Sequence, residues 1–513
     1  MTHTERIAIL DFGSQTTQLI ARRLRELGIY CEILPFSTET EAVLTRETRG
    51  IIFSGGPSSV LSKDAPKPDS ALYESGLPML GICYGMQLMG QYFGSPVVPG
   101  AQGEFGPARI SLDKSSGFWQ HLGSAMDVWM SHGDHLESVA EPLRLIASSE
   151  SEIVSAVAHN KLPVYGVQFH PEVTHTVRGA ELLKNFAYEI CGCTGGWSME
   201  SFIDSAVKDI RHTVGDKPVL CALSGGLDSS VTAKLLAKAI PGQVVCIHVD
   251  TGLNRKHERQ QVEEMFKREG TVELDVVDAG AEFYGALAGV TDPEQKRKIV
   301  GREFIEVFQR EAAKLKDVKF LAQGTLYPDV IESVSVRGPS ATIKSHHNVG
   351  GLPESLHMTL IEPLRELFKD EVRHLGGLLE LPDEILHRHP FPGPGLSVRV
   401  LGEVTKERCD ILREADAIYM EELVKSGWYR KTRQAFAVLL PVRSVGVMGD
   451  ERTYENACVL RAVDTDDFMT AKFTEFPYDL LAKIASRIAN EVRGINRVTY
   501  DISTKPPATV EWE

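Results

Sequence analysis

Three groups of residues in this chain hold more chemistry than packing requires. The first is Gly81-Ile82-Cys83-Tyr84-Gly85. Pro78–Ile82 reads as a buried strand and Met86–Tyr92 as a helix. Cys83 therefore falls on a tight strand-to-helix turn between two glycines, the arrangement that presents a nucleophile. The helix N-terminus favours its thiolate. Taken alone, a cysteine packed beside a sheet reads the same way. Gln168-Phe169-His170-Pro171-Glu172 supplies what such a thiol needs. In an extended segment residues two apart point the same way. Glu172 can hold the imidazole of His170 while His170 takes a proton from Cys83, the nucleophile–base–orienter logic of covalent acyl transfer. A satisfied His–Glu pair at a strand end is the plainer alternative. Ser54-Gly55-Gly56-Pro57 follows the strand Gly50–Phe53. Its backbone N–H groups, with that of Tyr84, suit an oxyanion.

The second group is Ser224-Gly225-Gly226-Leu227-Asp228-Ser229-Ser230, between the apolar strand Val219–Leu223 and a helix through Val231–Ala239. A loop of N–H groups and small hydroxyls at a helix N-terminus suits phosphate or pyrophosphate. The Gly-Lys-Ser/Thr ending of a Walker A loop is absent. Asp228 is costly inside an anion site unless a metal or charge partner joins it, and magnesium on oxygen ligands is the natural partner. Val249-Asp250 ends the next strand, where a nucleotide base or ribose sits in an open α/β sheet. Gln323-Gly324-Thr325-Leu326-Tyr327-Pro328-Asp329 ends another, and Glu332 follows one turn later, so Asp329 and Glu332 can share the magnesium. Lys344, in Ile343–Asn348, can neutralise phosphate charge. His346 and His347 have no further ligand motif and are not read as a metal site. The third group lies at the end of the chain. His387–Leu396 crowds proline and glycine, and Lys505–Glu513 holds two prolines and a tryptophan, which fits a docked tail better than a frayed one.

These residues need elements to position them. Strand-like and helix-like stretches alternate through the first 190 residues, with strands at Arg6–Leu10, Gly50–Phe53, Pro78–Ile82 and Val164–Phe169 and a helix at Ser14–Leu27. This predicts a mostly parallel sheet with helices on both faces. After a break at Cys191–Ser198 comes the helix Met199–Val214. A second alternating block follows, with strands at Val219–Leu223, Val244–Val249, Val272–Val277 and Phe320–Ala322. Alternation is weaker beyond His387. The expected class is α/β: two parallel-sheet domains, 1–195 and 196–388, and a smaller α+β domain, 389–513. The length of 513 residues is too great for one core and fits three such parts.

A net charge of −15 argues against nucleic-acid or membrane-surface partners. No signal peptide or membrane-length apolar run is read, and no CxxC pair occurs among the eight cysteines. Reduced thiols in the cytoplasm fit this pattern.

Residues 1–190 resemble a class I glutamine amidotransferase domain. The resemblance implies that Cys83 is the nucleophile, His170 the base and acid, and Glu172 the orienting carboxylate. Gly56 and Tyr84 would form the oxyanion hole. Gln87 would hold the substrate glutamine, with Ser131-His132-Gly133-Asp134 as a second wall. Ser-Gly-Gly-x-Asp-Ser resembles the loop of ATP pyrophosphatases, which adenylate a substrate oxygen. That assigns ATP to Ser224, Gly225, Gly226, Leu227, Asp228, Ser229, Ser230, Val249, Gly324 and Lys344, and magnesium to Asp228, Asp329 and Glu332. The end of the chain resembles the C-terminal domain of the GMP synthase family, and that resemblance covers essentially the whole sequence. It implies glutamine, ATP and xanthosine monophosphate (XMP) as substrates and a homodimer through the last domain. XMP contacts would come from Gln434, Arg497, Lys505 and Glu511, with Arg297, in Thr291–Lys298, on a mobile lid. Another glutamine-dependent adenylating ligase of the NAD synthetase type is the alternative, and the Lys-Pro-Pro-Ala-Thr tail counts against it.

Overall fold

The computed structural model describes residues 4–513 apart from 271, 316, 335–357, 449, 466, 467 and 469. The chain packs into two units, one of Met1–Ser205 and Tyr327–Val349 and one of Ala206–Leu326 and Gly350–Glu513.

The first unit holds a nine-stranded sheet. Its strands are β1 (Arg6–Asp11), β2 (Cys31–Pro35), β3 (Thr48–Phe53), β4 (Met79–Ile82), β5 (Val97–Leu112), β6 (Ala125–Leu136), β7 (Leu143–Ser149), β8 (Val154–His159) and β9 (Val164–Val167). They lie in the order β2-β1-β3-β4-β9-β8-β7-β5-β6. The pairings from β2 to β9 are parallel. Those from β9 to β6 are antiparallel. The sheet is thus parallel only in the half that bears the cysteine, because no α-helix separates β5 from β9 and antiparallel strands can be joined by short turns. Ile7, Ile9, Leu10, Ile51, Ile52 and Leu80 are wholly buried, which fits central strands covered on both faces. The first helix is Thr17–Glu26 rather than Ser14–Leu27. Gly13, at φ 90°, and the Ser14 hydroxyl, which accepts from the Thr16 N–H, spend the preceding residues on a turn.

In the second unit β10 (Val219–Ala222), β11 (Val244–Asp250), β12 (Glu273–Asp278), β13 (Phe320–Ala322) and β14 (Thr359–Ile361) form an all-parallel sheet, order β12-β11-β10-β13-β14. β15 (Gln434–Met448) and β16 (Glu451–Asp464) make a long antiparallel hairpin. β17 (Lys472–Phe473) joins β16 antiparallel, and β18 (Ile495–Asp501) joins it parallel after the crossover helix Tyr478–Glu491. Packing does not divide this unit at residue 388. One apolar core runs from Leu220 and Ile247, through Leu412 and Tyr419 of the helix Lys406–Lys425, to Leu439 and Leu460.

Candidate active site

Cys83 stands between β4 and the helix Tyr84–Tyr92, with φ 51° and ψ −104°. A non-glycine residue holds such a backbone only where its surroundings over-determine it, as they do at functional sites. Here the Cys83 N–H donates to the Val167 carbonyl of β9 at 2.7 Å. The flanking glycines are steric necessities. A Cβ on Gly81 would lie 2.6 Å from the Gly85 backbone, and one on Gly85 would lie 2.4 Å from the Phe53 carbonyl oxygen. The Tyr84 N–H is at the first helical position, where no intrahelical acceptor lies behind it. A Cβ on Gly56 would come within 2.8 Å of the Phe12 carbonyl oxygen, so only glycine fits that close approach without a shift.

β9 ends just before Gln168. The chain then bends at Gln168 and Phe169 and turns at Pro171 and Glu172. The histidine motif is thus not the extended segment expected from its spacing, and the His–Glu pair closes across a turn instead. His170 Nδ1 and Glu172 Oε1 are 2.7 Å apart. Glu172 is fully buried, and the same oxygen accepts the Thr16 hydroxyl at 2.7 Å. Burial alone would lower the pKa of His170. The Glu172 charge and hydrogen bonds to Cys83 and Glu172 outweigh it and push the imidazole up to about 10. The Glu172 carboxylate thus favours the protonated imidazole beside the sulfur.

The predicted second wall is part of β6. The Cys83 sulfur approaches the Ser131 carbonyl at 3.8 Å. Gln87 Nε2 donates to the Asp134 carbonyl at 2.8 Å, and His132 Nδ1 meets the same oxygen at 3.1 Å. Ser59 donates its hydroxyl to the Asp134 carboxylate. Gly133 lies between them, with no heavy atom within 4 Å of where a Cβ would stand. Cys83, His170, Glu172, Gln87, Ser131 and Asp134 thus converge. Thr16 had no signal in the sequence, because its role depends on a contact 156 residues away.

In the second unit the loop Ser224–Ser230 turns into the helix Leu227–Ala239, with Gly225 at φ 81°. Ser224 and Ser229 bond each other at 3.0 Å, and Ser229 also accepts from the Ser224 N–H at 3.2 Å. Ser230 Oγ is buried without a partner among the described residues. Val249 is in the apolar core, so only its backbone is available to a ligand. Gly324 lets its strand end approach Asp228 closely, since a Cβ there would stand 3.1 Å from the Asp228 backbone. The charge partner of Asp228 is Lys369, whose ammonium lies 2.6 Å from both carboxylate oxygens. The sequence reading did not find Lys369. Arg388, from the proline-rich motif, braces the loop by donating to the Gly225 carbonyl at 3.1 Å and to Glu258 at 3.0 Å.

Asp329 is in the first turn of the helix Tyr327–Val334. The Glu332 side chain lies outside the described residues, as do Lys344, His346 and His347. Among the described residues no cluster of three or more His, Cys, Asp or Glu could hold a metal ion.

The C-terminal tail is docked. Glu511 accepts from Gln434 at 2.8 Å and from both forks of Arg399, at 2.8 and 3.1 Å. Arg399 is almost fully buried, with its guanidinium 4.1 Å from the Phe436 ring centre and 4.9 Å from that of Phe391. Fully buried Arg461 donates to the Ser503 and Thr509 carbonyls. Of the five residues expected to contact XMP, Gln434 and Glu511 touch each other. Arg497 bonds the Ser444 hydroxyl instead, and Lys505 the Phe468 carbonyl at 2.6 Å. Arg297 donates to terminal Glu513. The stretch expected as a mobile lid is the start of the helix Pro293–Ala312. Asp292 caps it by accepting the Gln295 N–H at 2.8 Å, and Asp-Pro-Glu was the signal for that start.

Three family descriptions match the chain: glutamine amidotransferase class-I over residues 8–190, asparagine synthase over 199–293, and the GMP synthase C-terminal domain over 421–512. The chain is 56% identical over 508 residues to a protein of Fusobacterium nucleatum subsp. nucleatum named GMP synthase [glutamine-hydrolyzing], covering 99% of each. It is 57% identical over 511 residues to one of the same name from Wolinella succinogenes, covering 99% of this chain and 98% of the relative. A solved glutamine amidotransferase from Thermotoga maritima aligns with 37% of this chain and 100% of its own, at 16% identity and a TM-score of 0.32.

Proposed function

The chain belongs to the family of glutamine-hydrolysing GMP synthases, and on that premise we propose how its residues divide the work. The enzyme is a carbon–nitrogen ligase of purine biosynthesis. It aminates XMP to GMP with nitrogen from glutamine, through an adenylyl-XMP intermediate, with ATP as co-substrate, and releases AMP, pyrophosphate and glutamate. One observation carries the residue assignments: Cys83 on its strained turn faces a histidine whose Nδ1 lies 2.7 Å from a fully buried carboxylate.

In this assignment the Cys83 sulfur attacks the side-chain amide carbon of glutamine. The oxyanion rests on the Gly56 and Tyr84 N–H groups. His170 gives its proton to the leaving nitrogen, the C–N bond breaks, and ammonia leaves a glutamyl thioester. Water, deprotonated by His170, then breaks the S–C bond and releases glutamate. Gln87, Ser131, Gly133 and Asp134 hold the substrate.

ATP lies on Ser224–Ser230 with the Val249 backbone, Gly324 and Lys344. The 2-oxygen of XMP attacks the α-phosphate and displaces pyrophosphate, and ammonia then displaces AMP. Asp228 offers two carboxylate oxygens now met by one ammonium, a donor type that suits magnesium. We assign magnesium to Asp228, Asp329 and Glu332, where it would neutralise phosphate charge. The XMP residues are Arg297, Gln434, Arg497, Lys505 and Glu511, and the docked tail with its Gln434–Glu511 contact supports the last domain as their platform.

We keep the division into 1–195, 196–388 and 389–513 as functional parts, and place the enzyme in the cytoplasm. No helix among the described residues is long and apolar enough to cross a membrane. A homodimer through the β15–β16 hairpin is supported by Val442, Val445, Val447 and Tyr454, which stand 48–75% exposed along it. The test is product analysis with glutamine labelled at its amide nitrogen. Label must reach the 2-amino group of GMP, with AMP and pyrophosphate formed in equal amounts. Failure to form AMP with either glutamine or ammonium would overturn the reading.

A further inference from the structure

Gln168 stands two residues before His170, on the bend that leaves β9, and it is fully buried. Its backbone N–H is bound by the Ser155 carbonyl at 2.9 Å, which fixes where the side chain starts. A buried side-chain amide must find partners for both of its ends. Here both partners belong to the glutamine site. Gln168 Nε2 donates to the Cys83 sulfur at 3.6 Å, and Gln168 Oε1 accepts from Gln87 Nε2 at 3.4 Å. Residues 168, 170 and 172 follow one another through this bend and turn, so one short segment serves the sulfur, the proton and the imidazole in turn.

We infer that Gln168 is a further catalytic residue, one that stabilises the anionic sulfur of Cys83 through its N–H and ties that sulfur to Gln87 through its carbonyl. Besides His170, a further polar neighbour of the sulfur is the Ser131 carbonyl at 3.8 Å, an acceptor that suits a thiol and disfavours a thiolate. An N–H donor strengthens when its acceptor becomes charged. The Gln168 bond therefore favours the sulfur before attack and again when hydrolysis of the thioester expels it. His170, with Glu172 behind it, is the titratable group at the sulfur, and His132 and Asp134 belong to the opposite wall. Gln168 adds a donor to that set without adding charge.

The inference rests on the reading of Cys83 as nucleophile, and Cys83→Ala tests that reading separately. Gln168→Met keeps the bulk and removes the donor. Gln168→Glu keeps the acceptor toward Gln87 and turns a carboxylate toward the sulfur. In the full enzyme, glutamine-dependent synthesis should fall about 10-fold or more in the Met variant, the scale of a lost hydrogen bond to a charged group, and further in the Glu variant. Ammonium-dependent synthesis should be unchanged. The pH midpoint of Cys83 alkylation by iodoacetamide should move up by about one unit, which a merely structural role would not do. Full glutamine use by both variants, or an unmoved alkylation midpoint, would overturn the inference. If the Met variant also loses ammonium-dependent synthesis, its fold has failed and the Glu variant decides. If Cys83→Ala still hydrolyses glutamine, the nucleophile reading itself is wrong.

Discussion

The glutamine site and the nucleotide region are prepared for their ligands in opposite ways. In the first, the groups proposed to do the chemistry already touch: sulfur, imidazole, carboxylate and two amides form one hydrogen-bonded line. In the second, the working charges are paired with each other, Asp228 with Lys369 and Glu511 with Arg399. Covalent chemistry needs an assembled nucleophile before the substrate arrives. For the buried Arg399–Glu511 pair the reason is burial, because an unpaired buried charge is costly; the Asp228–Lys369 pair is solvent-exposed and can open when a ligand competes for either charge. The two histidines show the same contrast. His170 is held charged up to about 10 by a carboxylate. His389 is held neutral: burial pushes it down, the Arg255 charge adds to that, and its pKa falls to about 4.

The sharpest break in the comparison is Cys83→Ala. It should remove glutamine-dependent synthesis by roughly 10⁴-fold or more and leave ammonium-dependent synthesis intact, as rates with the two nitrogen donors would show. Equal loss of both would mean that the regions are not separable. Next is Asp228→Ala. If this carboxylate serves ATP chemistry, pyrophosphate release should drop by about 100-fold or more with either nitrogen donor, while hydrolysis of glutamine alone persists. A pyrophosphate assay with both donors checks it.

The contrast also explains what could be read in advance. The geometry proposed for the glutamine site was legible because each of its parts is local: a cysteine between glycines, and a histidine two residues from its carboxylate. The loop proposed to hold phosphate was legible as a strand-to-helix turn for the same reason. Lys369 and Arg399 were not, because an ordinary lysine and arginine gain their meaning only from partners 141 and 112 residues away. Alternation found most of the parallel strands of the two α/β sheets but missed the edge strands β2 and β14, whose burial is incomplete. It also missed β5 to β8, which connect through turns instead of helices. The tail was legible as docked from its prolines and tryptophan, but Arg461 and Arg399, which hold it, were not.

A smaller effect separates the two histidines. For His389, the folded value lies below that of a free imidazole. The neutral form therefore contributes stability that is present above about pH 6.5 and is lost as pH falls toward 4. His389 Nδ1 accepts the Ala435 N–H at 3.1 Å, and Nε2 lies 2.8 Å from the Tyr429 carbonyl, so protonation breaks one of two bonds. From pH 7 to pH 5 the second unit should lose about 2 kcal/mol from this group. His170 has the opposite sign: its contribution is complete below pH 6.5 and fades only as pH rises through about 10. Urea melts of wild type and His389→Gln at both pH values measure the difference. An unchanged pH dependence in the variant would remove His389 from the account.

The finest test concerns whether the paired charges in the nucleotide region are precise or merely neutralised. Arg399 grips Glu511 with two donors while its plane lies against Phe436 and Phe391. Lysine keeps the charge but can neither fork nor stack. If Glu511 needs only a counter-charge, Arg399→Lys should leave the kinetics unchanged. If Glu511 must be aimed, as a contact to the purine requires, the KM for XMP should rise about fivefold at nearly constant kcat, with the KM for ATP unmoved. A rise in both KM values would mean that the change has spread into the parallel sheet, whose apolar core is continuous with that of the tail's platform. The charge pairs would then be part of the second unit's packing, and the contrast with the glutamine site would be one of stability alone.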